Sequence, residues 1–223
     1  MQRQFEIELD EIKRTILTMA GMVEKGLVDV SKALALGDAE LAESVIAMDD
    51  EVDQYEVEID RLATEFIAKH QPTATDLRFV IVAIKLGPEI ERIADNSVNI
   101  AGRIRHMSKY QPLGTAKDLP RMLGLAQAMV NDAIAAYVAR DSRAAREIIR
   151  RDDEIDALYI QVFRELLTHM IEDPSTLSQS LSLILIARFV ERIADQATNI
   201  CEEVVYLVEA EPIRHQKLDP EEE

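Results

Sequence analysis

Two acidic motifs, each present twice, contain the residues best suited to chemistry. The motif Glu-Arg-Ile-Ala-Asp stands at 91–95 and returns at 191–195, and an Asn-Ile pair follows each copy. The motif Asp-Asp-Glu-Val-Asp at 49–53 has a counterpart, Asp-Asp-Glu-Ile-Asp, at 152–156. Since both motifs recur in the same order, they indicate an internal duplication of the chain.

Within each motif, two acids lie four residues apart, which places them one turn apart on the same helix face. Asp49 follows Met48 and Glu91 follows Ile90, and both apolar residues belong to predicted helix seams. The acids therefore flank the apolar seam instead of pointing away from it. If the two helices of one half pack side by side, we expect their four acids to converge at one edge of the interface.

Gathered carboxylates need a neutralising partner, because like charges at this spacing destabilise even an isolated helix by about 0.2–0.5 kcal/mol. Carboxylate oxygens are the ligands that Mg²⁺, Ca²⁺, Mn²⁺ and iron prefer. The sequence therefore predicts one metal site in each half of the chain. The candidate ligands are Asp49, Asp53, Glu91 and Asp95 in the first half, and Asp152, Asp156, Glu191 and Asp195 in the second.

A simpler explanation of the same acids needs no metal. Acid pairs at this spacing are common on solvated helix surfaces, and Arg92 and Arg192 could neutralise them in salt bridges. Duplicated constraints of the fold would also repeat such pairs. The double occurrence favours the metal sites, but the salt-bridge alternative stays open from the sequence.

Composition limits the class of protein and its partners. The 223 residues are 48% hydrophobic and 30% charged, with only seven Gly, seven Pro and no Trp, which is typical of long helices joined by few turns. The net charge of −17 repels nucleic acid and anionic lipid and attracts cations and basic protein surfaces. The single cysteine, Cys201, excludes an internal disulfide. The first residues form no apolar signal segment, and the longest continuous apolar runs, at 79–84 and 183–187, are too short to span a bilayer, so we expect a cytoplasmic protein.

Known catalytic and cofactor motifs are missing from the sequence. It has no Gly-x-x-x-x-Gly-Lys or Gly-x-Gly-x-x-Gly run to hold phosphate groups, and no Glu-x-x-His pair of the kind found in di-iron bundles. We therefore expect a protein that is not an enzyme. The alternative is a metal-dependent hydrolase or redox enzyme built on the carboxylate clusters, since metals held in this way can activate water.

Apolar residues spaced alternately three and four apart predict six long helices, three in each half. The first is expected to end at Gly37, the second to run unbroken over 39–70, and the third to end near Met107. The second half repeats this plan from Asp141, with a turn near Pro174. The prediction is an all-α fold of two repeated three-helix bundles.

The halves are divided at the loop-like stretch 111–115, which gives predicted domains 1–110 and 111–212 and an acidic tail 213–223. One position breaks the repeat close to the motif, because Pro88 stands where the second copy has Arg188. Proline inside a helix removes a hydrogen bond and kinks the axis. We therefore expect the two metal sites to differ in affinity.

These features together resemble the PhoU family of phosphate-specific transport system accessory proteins. The resemblance rests on six helices in two repeats, with Asp-x-x-x-Asp in the second helix and Glu-Arg-Ile-x-Asp in the third, and it covers about residues 3–210. It implies a cytoplasmic negative regulator that keeps phosphate-starvation genes, the Pho regulon, switched off when phosphate is plentiful.

The resemblance also implies partners and cofactors. The expected partners are the ATPase subunit of the phosphate ABC transporter and the phosphate-sensing histidine kinase, at the inner face of the membrane, and a second copy of the chain in a homodimer. Nucleic acid is not expected, and the membrane is reached only through protein partners. Some members bind multinuclear iron or zinc clusters on the paired motifs, which implies that the four acids of each half would form one such site.

Overall fold

The computed structural model describes residues 2–110 and 113–213, and in these ranges it contains helices and no strands. The first half holds α1 (Gln2–Leu36), α2 (Ala39–Ile46), α3 (Asp49–His70) and α4 (Ala74–Met107). The second half holds α5 (Leu119–Ala139), α6 (Ser142–Ile149), α7 (Asp152–Glu172) and α8 (Leu177–Glu209), with a 3₁₀ turn at Pro174–Thr176. The predicted all-α fold with a repeated helical bundle is confirmed.

The second helix predicted for each half is wrong in one respect, because the chain forms two helices there. α2 ends at Ile46, α3 begins at Asp49, and between them the N–H of Met48 donates to the carbonyl of Val45 (3.2 Å). The second half breaks at the equivalent place, between α6 and α7. Periodicity did not reveal the break, since Val45 and Val52 are both buried and the seam continues across it.

Electrostatics accounts for the break. The first turns of α3 and α7 each contain three consecutive acids, namely Asp49, Asp50 and Glu51 in α3 and Asp152, Asp153 and Glu154 in α7. Carboxylates are stabilised at a helix N-terminus by its free N–H groups and by the positive end of the helix dipole. In the interior of one longer helix, the same acids would repel one another without that compensation. The duplicated acidic motif is therefore also a helix start.

The helix end predicted at Gly37 is confirmed. Gly37 has a φ of +66°, a left-handed conformation that glycine adopts without steric cost. The side chain of Asp38 then accepts hydrogen bonds from the N–H groups of Glu40 and Leu41, both at 3.0 Å. Asp141 caps α6 in the same way. Turn chemistry therefore fixes where α2 and α6 begin.

A short connection leads from α4 to α5, and residues 111–112 lie outside the described ranges. The N–H of Ala116 donates to Oε1 of Glu165 (3.0 Å), which ties the connection to α7. At the other end, Ile213, the first residue of the predicted tail, is buried, and residues 214–223 lie outside the described ranges. The limits of the two predicted domains stay a prediction.

α4 and α8 lie side by side at the centre and make the most extensive helix contact in the described part of the chain. α4 also packs on α1, α2 and α3, while α8 packs on α5, α6 and α7. The buried apolar side chains of both halves form one continuous core. Both copies of Glu-Arg-Ile-Ala-Asp therefore lie on the central helix pair.

Among the described residues, one helix, α5, is long and apolar enough to cross a membrane by length and composition. The longest continuous apolar runs in the sequence do not indicate this helix, because small and polar residues interrupt the apolar ones in α5. α5 packs against α8, α1, α6 and α7, and it buries Leu123, Met129 and Tyr137. Its composition is that of a core helix of this bundle.

A buried ion pair joins the two halves. Glu203 on α8 is 2% exposed, and its carboxylate accepts hydrogen bonds from Nζ of Lys85 on α4 at 3.0 and 3.4 Å. The Lys85 ammonium also lies 4.9 Å from the centre of the Tyr206 ring. The pair crosses the central helix contact on which the fold depends.

We predict that Lys85→Met lowers the free energy of unfolding by about 1–3 kcal/mol, because it removes the ammonium group that donates to a buried carboxylate. The double variant with Glu203→Leu should recover part of the loss, since the buried negative charge is then removed as well. Urea denaturation of both variants measures this, with Lys32→Met, at an exposed pair, as the control. A double variant that is less stable than Lys85→Met would contradict the prediction.

Candidate metal centres

The first cluster of acids forms where α3 packs on α4. Asp49 and Asp53 lie at the start of α3, and Glu91 and Asp95 lie in the middle of α4. The charges of Asp95 and Asp53 raise the pKa of Asp49, and Asp53 acts in the same way on Glu91 and Asp95. The structure therefore brings the four predicted acids of the first half together. Glu56 was not among the predicted ligands, and its negative charge also contributes to the raised pKa of Glu91.

The second cluster forms in the same way where α7 packs on α8. Asp195, Asp156 and Glu191 all raise the pKa of Asp152. Asp156 also acts on Glu191 and on Asp195. Each half of the chain thus gathers its own four carboxylates, two from the start of one helix and two from a central helix.

Burial is the largest cause of the pKa shifts in both clusters, and the neighbouring carboxylates add to it. The pKa of Glu91 and that of Asp152 are each raised to about 7. For the same two reasons, the pKa is also raised at Asp49, Asp95, Glu191 and Asp195. A raised pKa means that the charged form of a carboxylate is destabilised. A bound cation would relieve this destabilisation at neutral pH.

The second cluster is the more deeply buried of the two. Glu191 is 8% exposed, whereas its counterpart Glu91 is only half-buried. Asp195 is half-buried, whereas Asp95 is more exposed and only part of its side chain is withdrawn from water. The two motifs are identical in sequence, so the difference comes from the side chains around them.

The arginines do not neutralise the acids as the salt-bridge alternative expected. Arg92 pairs with Glu89 (2.7 Å), and Arg192 forms no ion pair with any described residue. Both arginines attract the carboxylates of the motifs electrostatically, without pairing with them. Arg188, which the sequence reading did not identify as a partner, instead pairs with Oε1 of Glu191. Arg188 lies three residues before Glu191 on the same helix, and this spacing predicts a contact between the two side chains.

Position 88 distinguishes the surroundings of the two clusters. α4 continues through Pro88 without a break, and this proline occupies the place that Arg188 has in the repeat. The first cluster therefore lacks the arginine that pairs with Glu191 in the second. The predicted difference in cation affinity stays a prediction, and the missing arginine gives it a second physical basis.

Two buried carboxylate oxygens indicate whether the second cluster is suited to binding a cation. Oδ1 of Asp152 and Oε2 of Glu191 have no hydrogen-bond partner among the described residues. An unpartnered buried polar group costs about 1–3 kcal/mol, and carboxylate oxygens are the preferred ligands of hard cations. In the described ranges, no three Asp, Glu, His or Cys side chains are already positioned as a metal site. The chemistry of the donors suits a cation, but their side chains would have to rotate to surround one.

We predict that metal-free protein loses stability as the pH rises from about 4 to about 7. The pKa values of Glu91 and Asp152 in the folded chain, each about 7, exceed their ordinary values of 4.5 and 3.8. The folded state therefore holds these protons more tightly, and the stability they contribute at low pH is lost as they dissociate. Glu91→Gln and Asp152→Asn should each make the loss smaller.

Thermal unfolding in the presence of a chelator, followed across this pH range, measures the effect. Glu58→Gln is the matched control, because hydrogen bonds from Arg61 lower the pKa of Glu58 and its removal should not flatten the profile. Equal pH profiles for the wild type, Glu91→Gln and Asp152→Asn would show that the pKa values of Glu91 and Asp152 are not raised in the folded chain.

The chain is similar over most of its length to proteins of phosphate transport. A relative from Clostridium acetobutylicum, named phosphate-specific transport system accessory protein PhoU homolog, is 35% identical over 205 residues, which cover 92% of this chain and 94% of the relative. The phosphate-specific transport system accessory protein PhoU of Escherichia coli K12 is 37% identical over 214 residues, covering 95% of this chain and 88% of the relative.

Solved structures agree with this similarity. PhoU from Pseudomonas aeruginosa matches 93% of this chain with a TM-score of 0.90 and 35% identity, over 100% of its own length. The phosphate transport system regulatory protein PhoU from Streptococcus pneumoniae matches 93% of this chain with a TM-score of 0.86 and 28% identity, over 98% of its length. The PhoU domain profile matches twice, at residues 16–104 and 119–204, once in each half. The chain belongs to the PhoU family.

Proposed function

We propose that this chain is an accessory regulator of phosphate transport that holds cations in its two carboxylate clusters. The observation that most directly supports the proposal is the convergence of four acids in each half, of which three have a raised pKa. The relatives are named as accessory proteins of the phosphate-specific transport system. Cation loading would change the charge of the surface formed by α4, α8 and their neighbours.

The proposed ligands of the first site are Asp49, Asp53, Glu91 and Asp95, and those of the second are Asp152, Asp156, Glu191 and Asp195. Oxygen-only donors favour Mg²⁺, Mn²⁺, Ca²⁺ or iron, and the family resemblance adds zinc. The cation would supply positive charge that neutralises the cluster. The protein would supply the spacing of the carboxylates and the packing that keeps them close.

We propose a regulatory role without catalysis. The relatives are named as accessory or regulatory proteins and not as enzymes, which favours this assignment. The chain would act in the cytoplasm, at the inner face of the membrane, as a homodimer. It would dock on the ATPase subunit of the phosphate ABC transporter and on the phosphate-sensing histidine kinase, and it would hold phosphate-starvation genes off when phosphate is plentiful.

If the two clusters are metal sites, the purified chain should bind cations, and the binding should require the clustered acids. Protein loaded with Mn²⁺ or Fe²⁺ and then desalted should retain at least one metal ion per chain by elemental analysis. Glu91→Ala with Asp95→Ala should remove the first site, and Glu191→Ala with Asp195→Ala should remove the second. The control is Asp60→Asn, at an exposed acid on α3.

Neither double variant should unfold, because each relieves like-charge repulsion beside the core. A large fall in the melting temperature of the metal-free variants would show that the acids make structural bonds instead. Less than one bound metal per chain in the wild type, with no gain on reconstitution, would refute the metal sites and leave the regulatory role standing.

The regulatory role predicts direct binding to two partners. Purified chain should capture the transporter ATPase subunit and the cytoplasmic part of the sensor kinase in pull-down experiments at physiological salt. We expect capture to weaken at least tenfold when the cations are removed, because the −17 charge of the chain is then uncompensated. Absence of binding to both partners, with and without cation and phosphate, would contradict the proposed role.

A further inference from the structure

A cleft of about 350 Å³ lies between α4 and α8, where the two copies of the repeated motif face each other. Asn96 donates to Oε1 of Gln196 across it (3.4 Å), so equivalent positions of the two halves are in contact. The cleft therefore lies on the internal repeat of the molecule. Its lining consists of Arg92, Asp95, Asn96 and Asn99 from α4 and Arg188, Arg192, Asp195 and Gln196 from α8.

Arginine side chains are concentrated in the cleft. Three guanidinium groups face two carboxylates, in a protein whose net charge is −17. Arg92 and Arg188 are each held by one glutamate, Glu89 and Glu191 respectively. Because a guanidinium has five N–H donors, one carboxylate contact leaves donors for a further partner. Arg192 makes no hydrogen bond or ion pair with any described residue, so its donors are available to a ligand.

The donors of the cleft select a class of ligand. Guanidinium forks match the oxygens of carboxylates and phosphates, and the side-chain amides of Asn99 and Gln196 line the same cleft as further donors. One fork already satisfies the two oxygens of a carboxylate, whereas a tetrahedral anion has four oxygens for three arginines. The volume lies at the low end of the range for small-molecule sites. We propose that this cleft binds a small tetrahedral oxyanion, phosphate or sulfate, between Arg92, Arg188 and Arg192.

The cleft is also connected to both clusters of acids. Asp95 belongs to the first cluster and Asp195 to the second, and both line the cleft. Cations bound by these aspartates would remove the two negative charges that oppose an anion. By thermodynamic linkage, the anion would then strengthen cation binding by the same factor. This coupling rests on the proposed metal sites, whereas the anion site itself rests on the arginines.

Titration calorimetry of the full chain with inorganic phosphate tests the site, with sulfate and acetate as separate arms. We expect saturable binding of phosphate or sulfate that is at least tenfold weaker in Arg192→Gln. This variant is the sharpest choice, because Arg192 has no ion pair with the described residues to lose, and its melting temperature should be unchanged. Arg103→Gln, further along α4 and outside the cleft, is the control and should bind as the wild type does.

Each titration is run on Mg²⁺-loaded and on chelator-treated protein, with the metal content measured on the same samples. Tighter phosphate binding in the loaded protein supports the coupling, and equal affinity in both overturns the coupling. Binding that depends on Arg192 in both samples, with no Mg²⁺ retained in the loaded one, supports the anion site while the metal sites fail. No saturable binding of either tetrahedral anion, equal binding by Arg192→Gln and the wild type, or a preference for acetate overturns the anion site.

Discussion

The packing of α4 against α8 is the contact on which the rest of the structure depends. Ile90, Ile93, Val190 and Ile193 are at most 1% exposed on these two helices. Burying one such side chain contributes about 1.5–3 kcal/mol, whereas a pair of like charges on a helix costs about 0.2–0.5 kcal/mol. Apolar packing therefore decides where the neighbouring acids lie, and Glu91 and Glu191 are held partly out of water as a consequence. The chain tolerates electrostatic repulsion in two places because its central seam is much stronger than that repulsion.

Much of this arrangement could be predicted from the sequence, because apolar spacing and helix periodicity are local properties. The stripe on each helix, the Gly37 terminus and the pairing of acids one turn apart all follow from residues close together in the chain. The break before Asp49 could not be found in this way, since Val45 and Val52 keep the apolar spacing on both sides of it. Charge, not periodicity, ends the helix there. The partner of Glu191 could not be read from the motif either, because Arg188 lies outside the repeated motif whereas Arg192 lies inside it.

The duplication makes the two halves similar in backbone but not in electrostatics. Each cluster takes its first pair of acids from the start of a helix and its second pair from a central helix. In the second half, Arg188 provides a positive charge and Glu191 is nearly covered. In the first half, Pro88 removes that charge and Asp95 stays exposed. A cation at the proposed second site would therefore have to compete with an arginine in a drier environment, while a cation at the proposed first site would compete mainly with water.

Protons and cations are alternative ways of neutralising the same carboxylates. A group with a pKa of about 7, such as Glu91 or Asp152, is about half protonated at neutral pH. Since a carboxylate must lose its proton to bind a metal, cation affinity at both clusters should rise with pH through this range. The same proton loss would add negative charge to the two clusters, whose Asp95 and Asp195 line the cleft between α4 and α8, and it would weaken the proposed anion binding in metal-free protein. Once cations are bound, that penalty is removed, because the positive charge that replaces the proton does not dissociate as the pH rises. The arginines of the cleft therefore face a less negative surface in the loaded protein than in the metal-free one, and this difference is greatest above pH 7.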